Sequence, residues 1–233
     1  TAVLRVEAGG GEAGGDTGKA TIELYNPYAI TAINLGDQRV PLAADLSAPL
    51  AYYAINETPN VNPITWFLDP GASTGEEGLY FLEPYQPGKI PIVFVHGLVS
   101  SPSTWTDMVN DLRATPGFNE HYQVWAFRYA TGSSFLRAAA HLRRSLYEAA
   151  ETVDPGGTDP ALRATVLVGH SMGGLISKLQ VVDTGNALWR SVANRPLEQI
   201  NAGEQTRREL AEPLFLEPHP NVRRVVFIAT PHG

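Results

Sequence analysis

Cysteine, long apolar runs and an excess of positive charge are all absent from this chain of 233 residues. Without cysteine it can form neither disulfide bonds nor zinc–thiolate or iron–sulfur sites, and it has no cysteine nucleophile. No apolar stretch approaches the roughly 18 residues that a membrane-spanning helix needs, so we expect no transmembrane segment. Seventeen Lys and Arg against 24 Asp and Glu give a net charge of −7, which argues against a nucleic-acid partner.

The chain changes character along its length. Residues 1–20 are dense in glycine between positions 9 and 18, which predicts a flexible segment. Residues 21–88 hold short alternating apolar pieces with turn signals such as Asn26–Pro27, followed by a Pro- and Gly-rich connector. This pattern predicts short antiparallel strands in an N-terminal region.

From residue 89 to residue 233, buried-strand patterns alternate with amphipathic helical patterns. The apolar runs are Ile90–Val95, Tyr122–Tyr129, Thr165–Val168 and Val222–Ala229. Such alternation predicts an α/β fold with a mostly parallel sheet and helices on both faces. The mixed stretch at about 186–220 predicts a cap-like insertion, whose apolar side chains would cover an apolar substrate or pack into the core. We expect no cofactor and no metal ion.

The segment Gly169–Gly173, with the sequence Gly-His-Ser-Met-Gly, contains a candidate catalytic motif. It fits G-x-S-x-G, a nucleophile elbow in which a serine lies on a sharp strand-to-helix turn. The apolar run at Thr165–Val168 supplies the strand, and Leu175–Val182 supplies the helix. The sequence therefore predicts Ser171 as a nucleophile, and the alternative is a plain glycine-rich turn with a solvated serine.

An oxyanion hole is expected from two backbone amides near Ser171. The amide of Met172 follows the nucleophile directly and points at a developing negative charge. The loop after the first core strand supplies the second amide, from Leu98 or Val99, because Gly97 lets the backbone turn inward. Leu98 and Met172 are the predicted donors, and Gly97 and Val99 are predicted to line the site.

Two histidines flank these elements. His96 lies at the end of the first core strand, where a base is one possible role and bracing of the loop by a hydrogen bond is the favoured one. His170 occupies the second position of the motif, where a side chain packs beneath the elbow. Both are predicted to line the site in structural roles.

Three segments together resemble the α/β-hydrolase superfamily, specifically its bacterial lipase- and esterase-like members. They are Val93–Gly97, Val168–Gly174 and Phe227–Gly233, the last of which carries a Thr-Pro-His sequence. The resemblance implies an α/β-hydrolase fold, hydrolysis of carboxylic esters through an acyl-enzyme at Ser171, and a site-lining position for His232.

The acid and base of a triad follow the serine in this fold. Asp183 lies about three helical turns from Ser171, roughly 18 Å along a continuous helix, too far to orient a base. His219 precedes a strand, at the edge opposite the expected site, and the resemblance places the base on a loop after His232. We therefore expect the acid and base outside this chain, on a C-terminal segment or second chain that pairs with Val225–Ala229.

Two functions follow as hypotheses. The leading one is a serine carboxyl-ester hydrolase acting on a small-molecule or lipid-like ester. The alternative is a non-catalytic binding or scaffold domain that keeps the hydrolase fold. A first residue other than Met, followed by a glycine-rich stretch, favours an exported protein outside the cytoplasm, tethered to a membrane or released after removal of a leader.

Overall fold

The N-terminal part of the chain forms two small hairpins. The computed structural model describes residues 1–7, 19–27, 30–44 and 77–232, and it divides into two units, Thr1–Pro49 and Leu50–Gly233. In the first unit the antiparallel pairs are β1 (Ala2–Glu7) with β2 (Lys19–Leu24), and β3 (Ala32–Leu35) with β4 (Gln38–Pro41).

Part of the segment predicted to be flexible is a strand. Residues 8–18 lie outside the described residues, but β1 occupies the start of the predicted 1–20 segment and pairs in register with β2. Arg5 and Glu23 form an ion pair at 3.0 Å on one face of this hairpin. The expected short antiparallel strands are present as β2, β3 and β4, because their alternating residues suit paired extended backbone.

A five-stranded sheet organises the second unit, with strand order β5-β7-β6-β8-β9. Its strands are β5 (Gly78–Phe81), β6 (Ile90–Val95), β7 (Tyr122–Arg128), β8 (Thr165–His170) and β9 (Val222–Ile228). Strands β6 to β9 are parallel, and β5 pairs antiparallel with β7 at one edge. The predicted mostly parallel sheet is confirmed.

Helices connect the parallel strands. They are α1 (Thr106–Ala114), α2 (Phe118–His121), α3 (Phe135–Val153), α4 (Met172–Lys178), α5 (Ala187–Val192) and α6 (Glu204–Ala211), with 3₁₀ turns at Pro102–Trp105, Leu162–Ala164 and Leu197–Gln199. Helix α3 begins after Ser134, whose side chain accepts the amide hydrogen of Leu136 and so caps the helix. No helix in the described part of the chain is both long and apolar enough to cross a membrane.

The central strand β6 is buried on both faces, as its continuous apolar run predicted. The run at Val222–Ala229 predicted the same for β9, but this strand lies at an edge of the sheet and its side chains are half-buried or exposed. Successive side chains of β6 point to opposite faces. Val93 and Val95 belong to the cluster under α3 and α4, whereas Ile92 and Phe94 pack with Trp105 under α1. Each fully buried side chain of this size stabilises the fold by about 2 kcal/mol, so β6 is held firmly at the centre of the sheet.

The insertion at about 186–220 starts and ends at the amino ends of the strands, opposite the Ser171 elbow. The Thr184 side chain accepts the amide hydrogen of Leu216 at 2.8 Å, and the His219 amide donates to the Gln180 carbonyl at 2.7 Å. Trp189, Leu214 and Leu216 are buried. Leu216 joins the core cluster of the sheet, whereas Val192 of the same insertion is exposed.

Candidate active site

Ser171 lies between the last residue of β8 and the first residue of α4, in an unusual backbone conformation. Its φ is 51° and its ψ is −120°, a combination that residues other than glycine rarely adopt. The Ser171 amide donates to the carbonyl oxygen of Ile228, on the neighbouring strand β9, at 2.9 Å. The turn is thus held by the sheet, and strain of this kind persists mainly where surrounding structure enforces it.

The glycines of the motif permit close approach between the elbow and its neighbours. A Cβ atom added at Gly169 would lie 2.6 Å from the backbone of Gly174, and one added at Gly173 would lie 2.8 Å from the Val95 carbonyl carbon. One added at Gly174 would collide with the side chain of Thr230, whose Cβ is 2.8 Å away. Helix α4 therefore sits against β6 and β9 only because these side chains are absent.

The loop after β6 runs beside the elbow. A Cβ atom added at Gly97 would lie 3.2 Å from Ser171 Cβ and 2.9 Å from His170 Nδ1. Leu98 and Val99 follow with exposed side chains, and Val99 has a φ of 52°, which is strained for a β-branched residue. The structure thus brings the predicted loop next to the predicted nucleophile.

His96 is buried and held within this loop. Its Nδ1–H donates to the Gly97 carbonyl at 3.0 Å, and its ring stacks on Tyr129 with centroids 4.3 Å apart. Burial lowers the pKa of His96 to about 4, against the opposing effect of the Gly97 carbonyl. A neutral imidazole with this geometry fits the bracing role that the sequence favoured.

The other histidines take different positions. His170 is half-buried, and its ring meets the Trp105 ring edge-to-face with centroids 6.3 Å apart. His232 is exposed and follows β9 at the same edge of the sheet as Ser171. Its ring packs edge-to-face on the Phe227 ring, with centroids 4.8 Å apart. His219 is buried at the opposite edge, where its Nδ1 accepts the amide hydrogen of Asn221.

Two contributors to this region were missed by sequence reasoning. Tyr129 donates its hydroxyl hydrogen to the His96 carbonyl at 2.8 Å. Thr230 fills the space that a side chain at Gly174 would need. The Thr-Pro-His segment could have indicated Thr230, whereas no sequence motif around Tyr129 indicates its role. Among the described residues, no group of three or more His, Asp or Glu could hold a metal ion.

The observed fold agrees with a comparison to known families. The model of the Alpha/beta hydrolase family matches residues 92–230, which is more than half of the chain. The chain belongs to the alpha/beta hydrolase family. The match begins within β6 and ends at Thr230, so it includes the loop after β6, the Ser171 turn and the end of β9 in this hydrolase-family chain.

Solved structures with a similar fold include bacterial hydrolases. The mature lipase BlEst2 of Bacillus licheniformis is 24% identical over 68% of this chain and 49% of its own, with a TM-score of 0.39. An acetylxylan esterase is 19% identical over 63% of this chain and 65% of its own, with a TM-score of 0.35. The carboxylesterase CesB of Bacillus subtilis is 10% identical over 79% and 75%, with a TM-score of 0.27.

The matches cover different shares of the solved structures. This chain spans about half the length of the B. licheniformis lipase. Among curated proteins, none matches the chain.

Proposed function

We propose that the protein is a serine hydrolase that cleaves carboxylic esters, with Ser171 as the nucleophile. The observation that carries this proposal is the left-handed backbone of Ser171 between β8 and α4, beside Gly97. A serine held in this way projects its hydroxyl above the carboxyl edge of the sheet, where ligands bind in α/β folds. Membership of the hydrolase family and the lipase- and esterase-like sequence segments favour an ester substrate.

In the proposed reaction Ser171 Oγ attacks the ester carbonyl carbon, and the carbonyl electron pair moves onto the oxygen. The amides of Met172 and Leu98 donate hydrogen bonds to this oxyanion. A base takes the Ser171 proton during the attack and gives it to the leaving oxygen as the tetrahedral intermediate collapses, so that the alcohol departs and an acyl group stays on Ser171. Water then attacks the acyl-enzyme and releases the carboxylic acid, and the Ser171 oxygen regains its proton.

Proton transfer requires a base near Ser171. Asp183 and His219 lie at the amino ends of the strands, so neither reaches the elbow. We propose that the acid and base come from outside the described residues, on a C-terminal segment or second chain beside β9. Support comes from the exposure of Val226 and Phe227 on that strand, at 46% and 39%. His232 is the competing base, and a His232→Ala variant that keeps full activity excludes it.

The substrate is proposed to be a small-molecule or lipid-like ester, supported by the exposed apolar side chains of Leu98 and Val99 beside the nucleophile. An extracytoplasmic location is a further proposal, which rests on the sequence alone. Fractionation of producing cells tests it, because recovery of the protein in the cytoplasmic fraction would contradict it.

Turnover of p-nitrophenyl esters and labelling by a fluorophosphonate probe test the proposed activity. Wild-type protein that includes the C-terminal segment or second chain should hydrolyse the ester and be labelled at Ser171, and Ser171→Ala in the same complete protein should lose both. Ser191→Ala, which removes an exposed serine on α5, is the matched control and should retain both. Equal background rates in wild type and Ser171→Ala, with no labelling of a folded protein, would favour the scaffold alternative.

A further inference from the structure

We infer that Tyr129 is a positioning residue for the oxyanion loop and acts on the Leu98 amide through His96. This inference rests on the proposed function. Tyr129 directly follows β7, at the same edge of the sheet as the elbow, and its side chain is only 3% exposed. It touches His96 twice, through the hydroxyl bond to the His96 carbonyl at 2.8 Å and through the stacked rings at 4.3 Å.

Because the peptide bond is planar, contacts that hold a carbonyl group also fix the direction of the amide N–H of the next residue. In a trans peptide the C=O and the following N–H point in opposite directions. The His96 imidazole holds the Gly97 carbonyl, which fixes the direction of the Leu98 N–H. The Tyr129 hydroxyl holds the His96 carbonyl, which fixes the direction of the Gly97 N–H. Two successive peptide planes of the loop are thereby fixed, and Tyr129 contacts both the backbone and the ring that fix them.

Tyr129 is itself held in place from two sides. Its ring also stacks near Phe127, with centroids 5.7 Å apart and an interplanar angle of 17°. The next residue, Ala130, donates its amide hydrogen to Glu77 at 2.6 Å, and Glu77 pairs with His141 of α3 at 3.5 Å. Burial raises the pKa of Tyr129, so its hydroxyl stays protonated and remains a donor.

The elbow helix crowds the same carbonyl. A Cβ atom added at Gly173 would collide with the oxygen of His96. The His96 carbonyl therefore lies between the Tyr129 hydroxyl and the first turn of α4, whose Met172 amide is the other proposed oxyanion donor. Tyr129 thus acts at the point where the two halves of the oxyanion hole meet, which distinguishes it from an ordinary core aromatic.

The test compares Tyr129→Phe with Tyr85→Phe in the intact protein. Tyr129→Phe keeps the ring and removes only the hydroxyl. Tyr85→Phe is the matched control, because it removes a tyrosine hydrogen bond, to Asp159, at the opposite edge of the sheet. The first readout is hydrogen exchange of amides 97–99, which does not depend on activity. Loss of one hydrogen bond should speed this exchange roughly five- to tenfold in Tyr129→Phe only.

The second readout is kinetic. For p-nitrophenyl butyrate, Tyr129→Phe should lower kcat about tenfold with KM within about twofold, because an oxyanion hole acts in the transition state. The inhibition constant of a trifluoromethyl ketone, which forms an oxyanion on a serine nucleophile, should rise by the same factor. Unchanged exchange at 97–99, or unchanged kcat and inhibition constant in an active protein, would overturn the inference. A wild-type protein without esterase activity would contradict the proposed function instead, while the exchange readout would still judge the Tyr129 brace.

Discussion

Replacing Gly173 by alanine should separate the elbow helix from the central strand. The added Cβ would lie 2.8 Å from the carbonyl carbon of Val95 and closer still to the carbonyl oxygens of Val95 and His96. Ordinary contact begins at 3.4 Å, so α4 must move by more than half an ångström. The obstructing atoms are backbone atoms at the end of β6 and of the next residue, His96, so no side chain can rotate away. Overpacking of this kind typically costs about 1–3 kcal/mol, and the rigid backbone obstruction places Gly173→Ala near the upper end of that range.

The same movement should reduce catalysis, since Met172 and Ser171 immediately precede Gly173. A misplacement of about 1 Å near reacting groups can lower the rate about 100-fold. We expect Gly173→Ala to lower both the free energy of unfolding, measured by urea denaturation, and kcat/KM for p-nitrophenyl esters. Gly156→Ala is the matched control, because its Cβ would meet only a methyl group of Thr158 at 3.4 Å.

A clear result would refute this reasoning. If Gly173→Ala unfolds at the same urea concentration as wild type and Gly156→Ala, helix α4 does not rest on β6 as described. If stability falls but kcat/KM is unchanged, the position of α4 does not control the nucleophile. Either outcome would also weaken the case for the Met172 amide as an oxyanion donor.

Three further predictions follow from the same contacts. Gly174→Ala should destabilise the protein, because the added Cβ collides with the side chain of Thr230. Thr230→Ala should partly restore stability in the double variant, and denaturation of the wild type, both single variants and the double variant measures the coupling between the two positions. Gly97→Ala should reduce kcat more than stability, as measured by parallel kinetics and denaturation, since a few tenths of an ångström suffice to clear its neighbours. Burial lowers the pKa values of His96 and His219 to about 4 in the folded protein. As the pH falls from 6.5 to 4, these histidines take up protons in the unfolded chain before they do so in the folded protein. The free energy of unfolding should therefore fall by about 3 kcal/mol per histidine over this range. Denaturation of His219→Gln should show a shallower dependence, and an identical pH dependence would contradict this assignment.

Much of the second unit was predictable because its signals are local. The apolar runs predicted β6, β7, β8 and β9 to within a few residues, since strands inside a covered sheet need several consecutive apolar side chains. The exposure of β9 was not predictable from its apolar run, because it depends on the position of that strand at the edge. The Gly-His-Ser-Met-Gly segment predicted the turn at Ser171, because side chains at Gly169 and Gly173 would collide with neighbouring backbone. The pairing of β1 with β2 was not predictable, since the strands are joined by a glycine-rich stretch that carries no pattern of its own.

The role of the 186–220 insertion also required the structure. Its sequence is a mixture of polar and apolar residues that suits a cap or a core layer equally. The hydrogen bonds of Thr184 with Leu214 and Leu216 hold its base at the amino ends of the strands, where Trp189 is buried. Contacts between residues some thirty positions apart depend on how the chain returns to the sheet, which no local pattern records.

By itself, the sequence determined the α/β class, the strand-to-helix turn at Ser171 and the exclusion of cysteine chemistry, because each depends on residue type or on spacing over a few positions. Only the tertiary structure decided that Gly97 lies against Ser171, that Gly173 touches β6, and that Tyr129 holds His96. These contacts arise because strand order places β6 between β7 and β8. Residues far apart in the chain become neighbours at one edge of the sheet, and the precision of the site comes from that arrangement.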